Sequence, residues 1–303
     1  MRRAATLIAA LAVVPVFTEA EVQQRARYLM GTVCEVAVPA GHEAEIELAF
    51  AEAKRIEAML STWIPESDLS RLNASGGAAG FQPAELQTLL DQTLEWSRRT
   101  NGTFDPRIKS LIDAWKTREA GALPTRDALA AAMQTKQWEE GAFGKGYALD
   151  RMLARITARE AAIDFGGQLA VRGELRVSIA DPADRARPLL ALTMRDGSLS
   201  TSSGSEKTFE AGGRRFSHII DPRTGEALPP RGSVSVIADD ALTADILSTA
   251  IYVMGEDEGL RWADANGVSA LFITPNHHVR LSAKARERAR GLELLDRNYS
   301  VKD

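Results

Sequence analysis

Asp245 and Thr249 stand four residues apart in the stretch "TADILSTA". On a helix, that spacing puts both side chains on one face, one turn apart. A carboxylate and a hydroxyl so placed near a helix start are hard oxygen donors of the kind that Mg²⁺ takes. The same stretch also suits an ordinary helix start, with Thr243 as N-cap and Asp245 as a first-turn acid favoured by the helix dipole.

Other segments carry chemistry of a similar grade. In "GAFGKGYALD" the glycines let backbone approach a ligand, and Lys145 offers positive charge to a phosphate at the start of a helix. The spacing is not that of a Walker A loop, and an exposed lysine beside a glycine-flanked helix start is the plainer alternative. "RRFSHIIDPRTG" holds His218, one of four histidines, next to an Asp-Pro turn. A neutral imidazole there can take a proton from a hydroxyl or contact a phosphate; it can also be a satisfied structural histidine. Asp221 reads as the residue that caps the hairpin turn from Pro222 to Gly225.

The glycine pair of "AAIDFGGQLAVRG" permits close ligand approach or a bulge. Asp105 in "TNGTFDP" either holds a ligand hydroxyl or shapes a turn. "LSTSSGSEK" offers hydroxyls and, at Gly204, an anion-binding backbone nest, but it has no Gly-x-Ser-x-Gly elbow. His42 and the pair His277–His278 have no neighbouring pattern that would recruit them, and the pair reads as a solvent-facing turn.

The elements that must position these residues follow from periodicity. Ile46, Ala49, Phe50, Ala53, Ile56, Met59 and Leu60 recur at helical spacing, and "STWIPESDLSRLN" after them reads as a loop. A second helix carries Leu86, Leu89, Leu90 and Thr93 and stops at "RTNGTFDP"; a third runs from Gly146 to about Ala158. From Leu189 to Val236 the pattern is mostly strand, with "RDGSLSTSSGS" and "DPRTG" as turns. "SVSVIA" feeds a helix from Thr243 to Met254, then come a helix near Glu256 to Ala265, a strand "VSALFIT" and a charged helical tail. Helices and hairpins are intermixed without regular βαβ alternation, which predicts one α+β unit of two interleaved lobes.

The chain has 303 residues, 45% of them hydrophobic and 26% charged, enough for one large core or two modest ones. A net charge of −4 argues against a nucleic-acid surface. Two arginines precede the apolar run from Ala4 to Val16, and small residues follow up to Ala20. That is the grammar of a signal peptide over residues 1–20, too short to span a bilayer, and it predicts export to a bacterial periplasm. The single cysteine, Cys34, alternates with Val36 and Val38 on one strand face, so it predicts a buried thiol and no internal disulfide. No cysteine ends the signal, so no lipid anchor is expected there, and the surface composition suggests a monomer.

Taken together, "MGT", "STWIPESDLSRLN", "GTFDP", "GKGYALD", "DFGGQLAVRG", "STSSG", "SHIIDPRTG" and "ADILSTA", in this order, make the chain resemble the ApbE family of FAD:protein FMN transferases from about Tyr28 to the final strand. The resemblance implies a bilobed α+β fold with mixed or antiparallel sheets, flanking helices and a nucleotide cleft between the lobes, residues 21–303 forming the transferase domain. It implies Mg²⁺-dependent transfer of FMN from FAD to a threonine or serine of an acceptor protein, with release of AMP. By resemblance the metal ligands are Asp245, Thr249, Ser248 and the backbone carbonyl of Ala148. The flavin nucleotide falls to Met30, Trp63, Thr103, Phe104, Asp105, Lys145, Arg151 and Ile220, and His218 matches the functional histidine.

The chain departs from the family pattern at Arg107 and Lys109, and at Gln168, where an acid often follows the glycine pair. Two other activities stay open at this level: hydrolysis of FAD to FMN and AMP by the same metal site, and non-catalytic flavin binding or delivery. The expected partners are FAD and an acceptor flavoprotein, peripheral to membrane complexes at most and without nucleic acid.

Overall fold

A computed structural model describes residues 21–76 and 83–302; the expected signal segment lies outside them. Strands β1 (Val22–Leu29) and β2 (Thr32–Pro39) form a hairpin closed by Met30 and Gly31, with φ of 45° and 77°. Two successive positive φ values make the turn whose twist matches paired strands, and only Gly31 adopts it without steric cost. Helix α1 (Glu43–Leu60) buries the apolar stripe read from the sequence.

The expected loop after α1 contains a helix, α2 (Asp68–Ala74). Its Ser67 hydroxyl accepts from the Ser70 amide at 3.0 Å, and Leu69 and Leu72 supply the buried face. Helix α3 (Ala84–Arg99) is followed by α4 (Lys109–Thr117) and α5 (Arg126–Gln134). Helix α6 (Gly144–Leu153) stops short of the expected Ala158, although Ile156 and Ala158 are buried beyond it.

Strands β3 (Ala161–Phe165), β4 (Leu169–Ala180) and β5 (Pro188–Ser203) follow. "RDGSLSTSS" is therefore strand and not turn: Asp196 and Gly197, at φ 51° and 95°, lie where β4 bulges, Arg172 and Gly173 standing opposite Asp196. A Cβ on Gly197 would lie 2.4 Å from the Ala238 carbonyl oxygen, so β5 needs a missing side chain at this point. Strands β6 (Thr208–Ala211) and β7 (Arg214–Ser217) pair only with each other among the described residues, and β8 (Ser233–Ala238) pairs with β5.

Helix α7 (Ala241–Met254) is capped by Asp240, not by Thr243: the Asp240 carboxylate accepts from the Thr243 amide at 2.7 Å. The chain continues through α8 (Glu256–Ala265), β9 (Ser269–Ile273), β10 (His278–Leu281), α9 (Ala283–Arg288), β11 (Arg290–Leu294) and β12 (Ser300–Lys302). The expected helical tail is thus one short helix followed by two strands.

Among the described residues the main sheet runs β1-β2-β3-β4-β5-β8-β9-β10-β12, with β11 also on β5, and only β10–β12 is parallel. Both faces are covered. Val36, Val38 and Ile163 point into the core with α1, α3 and α6, while Val171, Val177 and Leu192 point into a second core with α9. Val234, Val236 and Phe272 pack under α7 and α8. A smaller core, built on Trp115, Phe216 and Ile220, joins α4 and α5 to the β6–β7 hairpin. Cys34 is fully buried as expected, and burial pushes its thiol pKa upward.

Candidate active site

The site is built where α6 crosses α7. Gly146 lets the two backbones meet: a Cβ there would lie 2.4 Å from the Ala241 carbonyl oxygen and 2.8 Å from Cβ of Asp245. In that gap the Gly146 amide donates to Asp245 Oδ2 at 3.0 Å. One turn on, Asp150 accepts from the amides of Ala241 and Leu242 at 2.7 and 2.9 Å, a second cap on α7 supplied by α6. Burial nevertheless raises the Asp150 pKa to about 6 against those two bonds. Ala148, whose carbonyl was expected to face a metal, lies fully buried between these two contacts.

Asp245 is 6% exposed, and its pKa is raised, first by burial. Lys145 and the Gln168 amide oppose that rise, and Glu206 adds to it. Its neighbours on α7 join a cluster of hydroxyls: Ser248 Oγ donates to the Asp245 carbonyl at 3.0 Å and meets Ser200 and Ser202 at 3.2 and 2.9 Å. Ser202 also meets Thr249 Oγ1 at 3.2 Å. Asp245, Ser248 and Thr249 are therefore together, joined by Ser200 and Ser202 from β5.

His218 follows the β6–β7 hairpin, its amide bonded to the Lys207 carbonyl at 3.0 Å. The residue is exposed, yet crowding around the ring is the first cause of its lowered pKa; Glu206 opposes, and Lys207 and Lys145 contribute. Lys145 and Glu206 thus act on both His218 and Asp245, which places a base, a cation and a buried carboxylate in one electrostatic neighbourhood.

Met30 sits at the hairpin turn with its amide bonded to Glu57 at 2.8 Å, and its Sδ-methyl end reaches the start of α6 at Gly144. Trp63 is 79% exposed, with Lys116 Nζ 5.0 Å from its ring centroid, so its face is open to stacking. Thr103 and Phe104 are buried; the Thr103 hydroxyl donates to the Thr100 carbonyl at 2.9 Å. Asp105 accepts from the amide and guanidinium of Arg107 and from Lys136 at 3.2 Å. Burial pushes its pKa up, but these donors win and hold it below the usual carboxylate range. Arg107, a departure from the family pattern, thereby serves the turn itself.

Two expected ligand contacts are engaged elsewhere. Arg151 lies 3.6 and 3.7 Å from Glu52 and Glu85, on the stripe of α6 that also carries Tyr147, while Gly146 and Asp150 face α7. Ile220 is a core residue, bridged to Ala227 beside Trp115 and Phe216. Asp221 is the turn residue expected, bonded to Arg223 at 2.8–3.0 Å. Asp150 was not singled out from the sequence, and for Gly146, Ser200 and Ser202 the sequence offered the segment but not the contact. A helix start followed by "GYALD" contains the first two at i, i+4, but nothing in the sequence says which helix they meet.

A Mg²⁺ ion fits this donor set. Among the described residues no cluster of three or more His, Cys, Asp or Glu side chains exists to cage a metal. One buried carboxylate, with a cluster of hydroxyls on the next turn of the same helix, is what a cation completed by substrate phosphates and water requires.

The profile of the ApbE family matches residues 30–272. The chain belongs to the ApbE family. A FAD:protein FMN transferase from Treponema pallidum is 31% identical over 322 aligned positions, covering 89% of each chain. The ApbE protein of Thermotoga maritima superposes with a TM-score of 0.80 at 24% identity, covering 89% of this chain and 100% of that one. The flavin transferase ApbE of Vibrio cholerae gives 0.77 at 21% identity, with the same coverage. These two likenesses establish the ApbE fold, an α+β architecture around a largely antiparallel sheet.

Proposed function

We propose that this protein moves the FMN half of FAD onto a threonine or serine hydroxyl of an acceptor protein, with Mg²⁺ bound and AMP released. It is an enzyme of the FAD:protein FMN transferase type, the activity for which its relatives are named. The observation that carries the detailed reading is the buried Asp245 carboxylate pinned between α6 and α7, with Lys145 acting on both it and His218.

The acceptor oxygen forms a bond to the FMN phosphorus, the bond from that phosphorus to the bridging oxygen breaks, and AMP departs with that oxygen. The hydroxyl proton goes to Nδ1 or Nε2 of His218, whose lowered pKa keeps it unprotonated near neutrality. Lys145 offsets negative charge on the phosphoryl oxygens. Asp245, Thr249, Ser248 and the Ala148 carbonyl would hold Mg²⁺, which supplies charge stabilisation to the diphosphate and the leaving AMP. Trp63 and Met30 offer the ring-stacking surfaces, and the turn at Thr103, Phe104 and Asp105 offers a rim for the nucleotide. The signal-like N-terminus supports export, so the acceptors belong to exported or membrane-bound redox proteins.

The test is the intact mass of an exported acceptor domain incubated with FAD, Mg²⁺ and either wild type or Asp245→Ala. A gain of one FMN-phosphoryl unit with wild type, and none with the variant, is expected. Free FMN and AMP with an unmodified acceptor would instead assign the site to hydrolysis.

A further inference from the structure

Gln168 lies in the turn between β3 and β4 and is 3% exposed. Its Nε2 donates to the Ala241 carbonyl at 3.1 Å. That bond settles which end of the amide is which, because a flipped amide would set two oxygens against each other. The other end, Oε1, is buried and has no hydrogen-bond partner among the described residues. Buried amide oxygens are nearly always satisfied, and one that is not marks a place where something else binds.

The surroundings say what. The Ala241 carbonyl that Gln168 holds and the Cβ of Asp245 lie 2.4 and 2.8 Å from one point, where a Gly146 Cβ would be, and Ala241 begins the helix that carries Asp245, Ser248 and Thr249. The turn is fixed from below: Asp164 Oδ1 accepts from the Gly167 amide at 2.8 Å, and Phe165 N donates to the Gln168 carbonyl at 2.7 Å. Gly167, at φ 88°, is the exposed corner of that turn, next to the buried Gln168. A neutral carbonyl oxygen can accept a proton or ligate a hard cation, and Mg²⁺ characteristically retains water molecules that need acceptors.

The geometry points to Gln168 as a positioning residue of the metal site, its Oε1 accepting from water on the divalent cation that Asp245 holds. This rests on the reading of Asp245 as a metal ligand. Partners of metal ligands and their waters typically change affinity by 10–100-fold when removed. A glutamine in place of an acid also keeps the site at a single buried carboxylate, so cation affinity depends on an oriented neutral oxygen and not on a second charge.

The test is Mn²⁺ binding to the purified protein without flavin, by titration calorimetry, for wild type, Gln168→Leu, Gln168→Met, Gln168→Glu and Asp245→Ala, with metal-free thermal unfolding of each. Gln168→Leu and Gln168→Met, which remove the oxygen, should weaken Mn²⁺ by about 10-fold or more. Gln168→Glu, which loses the bond to Ala241 but keeps an acceptor, should bind at least as tightly as wild type. Loss in all three Gln168 variants would reduce the residue to a tether for Ala241 and overturn the inference, as would no loss in the two apolar ones. Equal Mn²⁺ binding by wild type and Asp245→Ala would instead sink the metal-site reading itself. Either apolar variant that unfolds at the wild-type temperature suffices for the comparison.

Discussion

At the scale of single residues, the chemistry rests on protonation states that burial sets. His218 was conspicuous in the sequence because only four histidines exist and one stood beside a turn. The sequence could not show that crowding lowers its pKa from the usual 6.5, or that Glu206, Lys207 and Lys145 converge on it. A histidine with a lowered pKa stays neutral, and so remains a base, to a lower pH than a free one. The acidic limb of the pH–rate profile for transfer should therefore fall below 6.5. Glu206→Gln, by removing the one raising carboxylate among these neighbours, should move that limb lower still, and Lys207→Ala should move it upward. A limb unmoved by both changes would mean that His218 does not act as the base.

At the scale of elements, long periodic stretches were legible and short or context-dependent ones were not. The stripe of α1 and the helix after "SVSVIA" could be read because their apolar spacing alone identifies them. Helix α2 was hidden behind Pro65 and a polar cluster, although Ser67 is the N-cap that starts it. The strand through "RDGSLSTSS" was hidden because Asp-Gly ordinarily signals a turn, whereas here it runs on as strand, opposite a bulge in β4 and close against Ala238.

The contact between α6 and α7 was equally invisible, and it sets the position of Asp245. Gly146→Ala would drive a Cβ into the backbone oxygen of Ala241 and into Asp245, neither of which can swing aside. The helices must separate, which should cost about 1–3 kcal/mol in stability. The same shift should disturb the bond from Gly146 N to Asp245 and the two caps from Asp150, so transfer activity should fall more than the lowered melting temperature explains. Gly141→Ala is the control, since its Cβ would meet the Glu139 side chain at 3.4 and 3.9 Å, ordinary contact distances. Equal melting temperatures and rates for the two variants would show that the helices do not need this contact.

At the scale of the whole molecule, several carboxylates are buried more deeply than their partners compensate. The Glu139 pKa is raised to about 7, first by burial and then by Glu140, and those of Asp150 and Asp164 are raised to about 6. A raised carboxylate pKa means that the folded chain holds a proton the unfolded chain has released, so stability falls as pH rises from the unfolded pKa through the folded one. Glu45, lowered to about 2, works oppositely, and its stabilisation is complete above 4.5. The two kinds of group act in different windows, and Glu139 alone can be tested because its range, 4.5 to about 7, extends furthest upward.

Glu139→Gln cannot ionise. At pH 4 it should match wild type in melting temperature, and by pH 8 it should exceed it by about 3 kcal/mol in stability. The rise should occur between those limits and follow the titration of Glu139. A difference that is constant across the range would mean that the carboxylate ionises equally easily folded and unfolded. Glu139 also sits 3.5 Å from the Thr62 hydroxyl, next to exposed Trp63. The stabilised variant is therefore expected to bind FAD differently at pH 8, where the wild-type carboxylate is charged near Trp63, the surface proposed for ring stacking, and alike at pH 5.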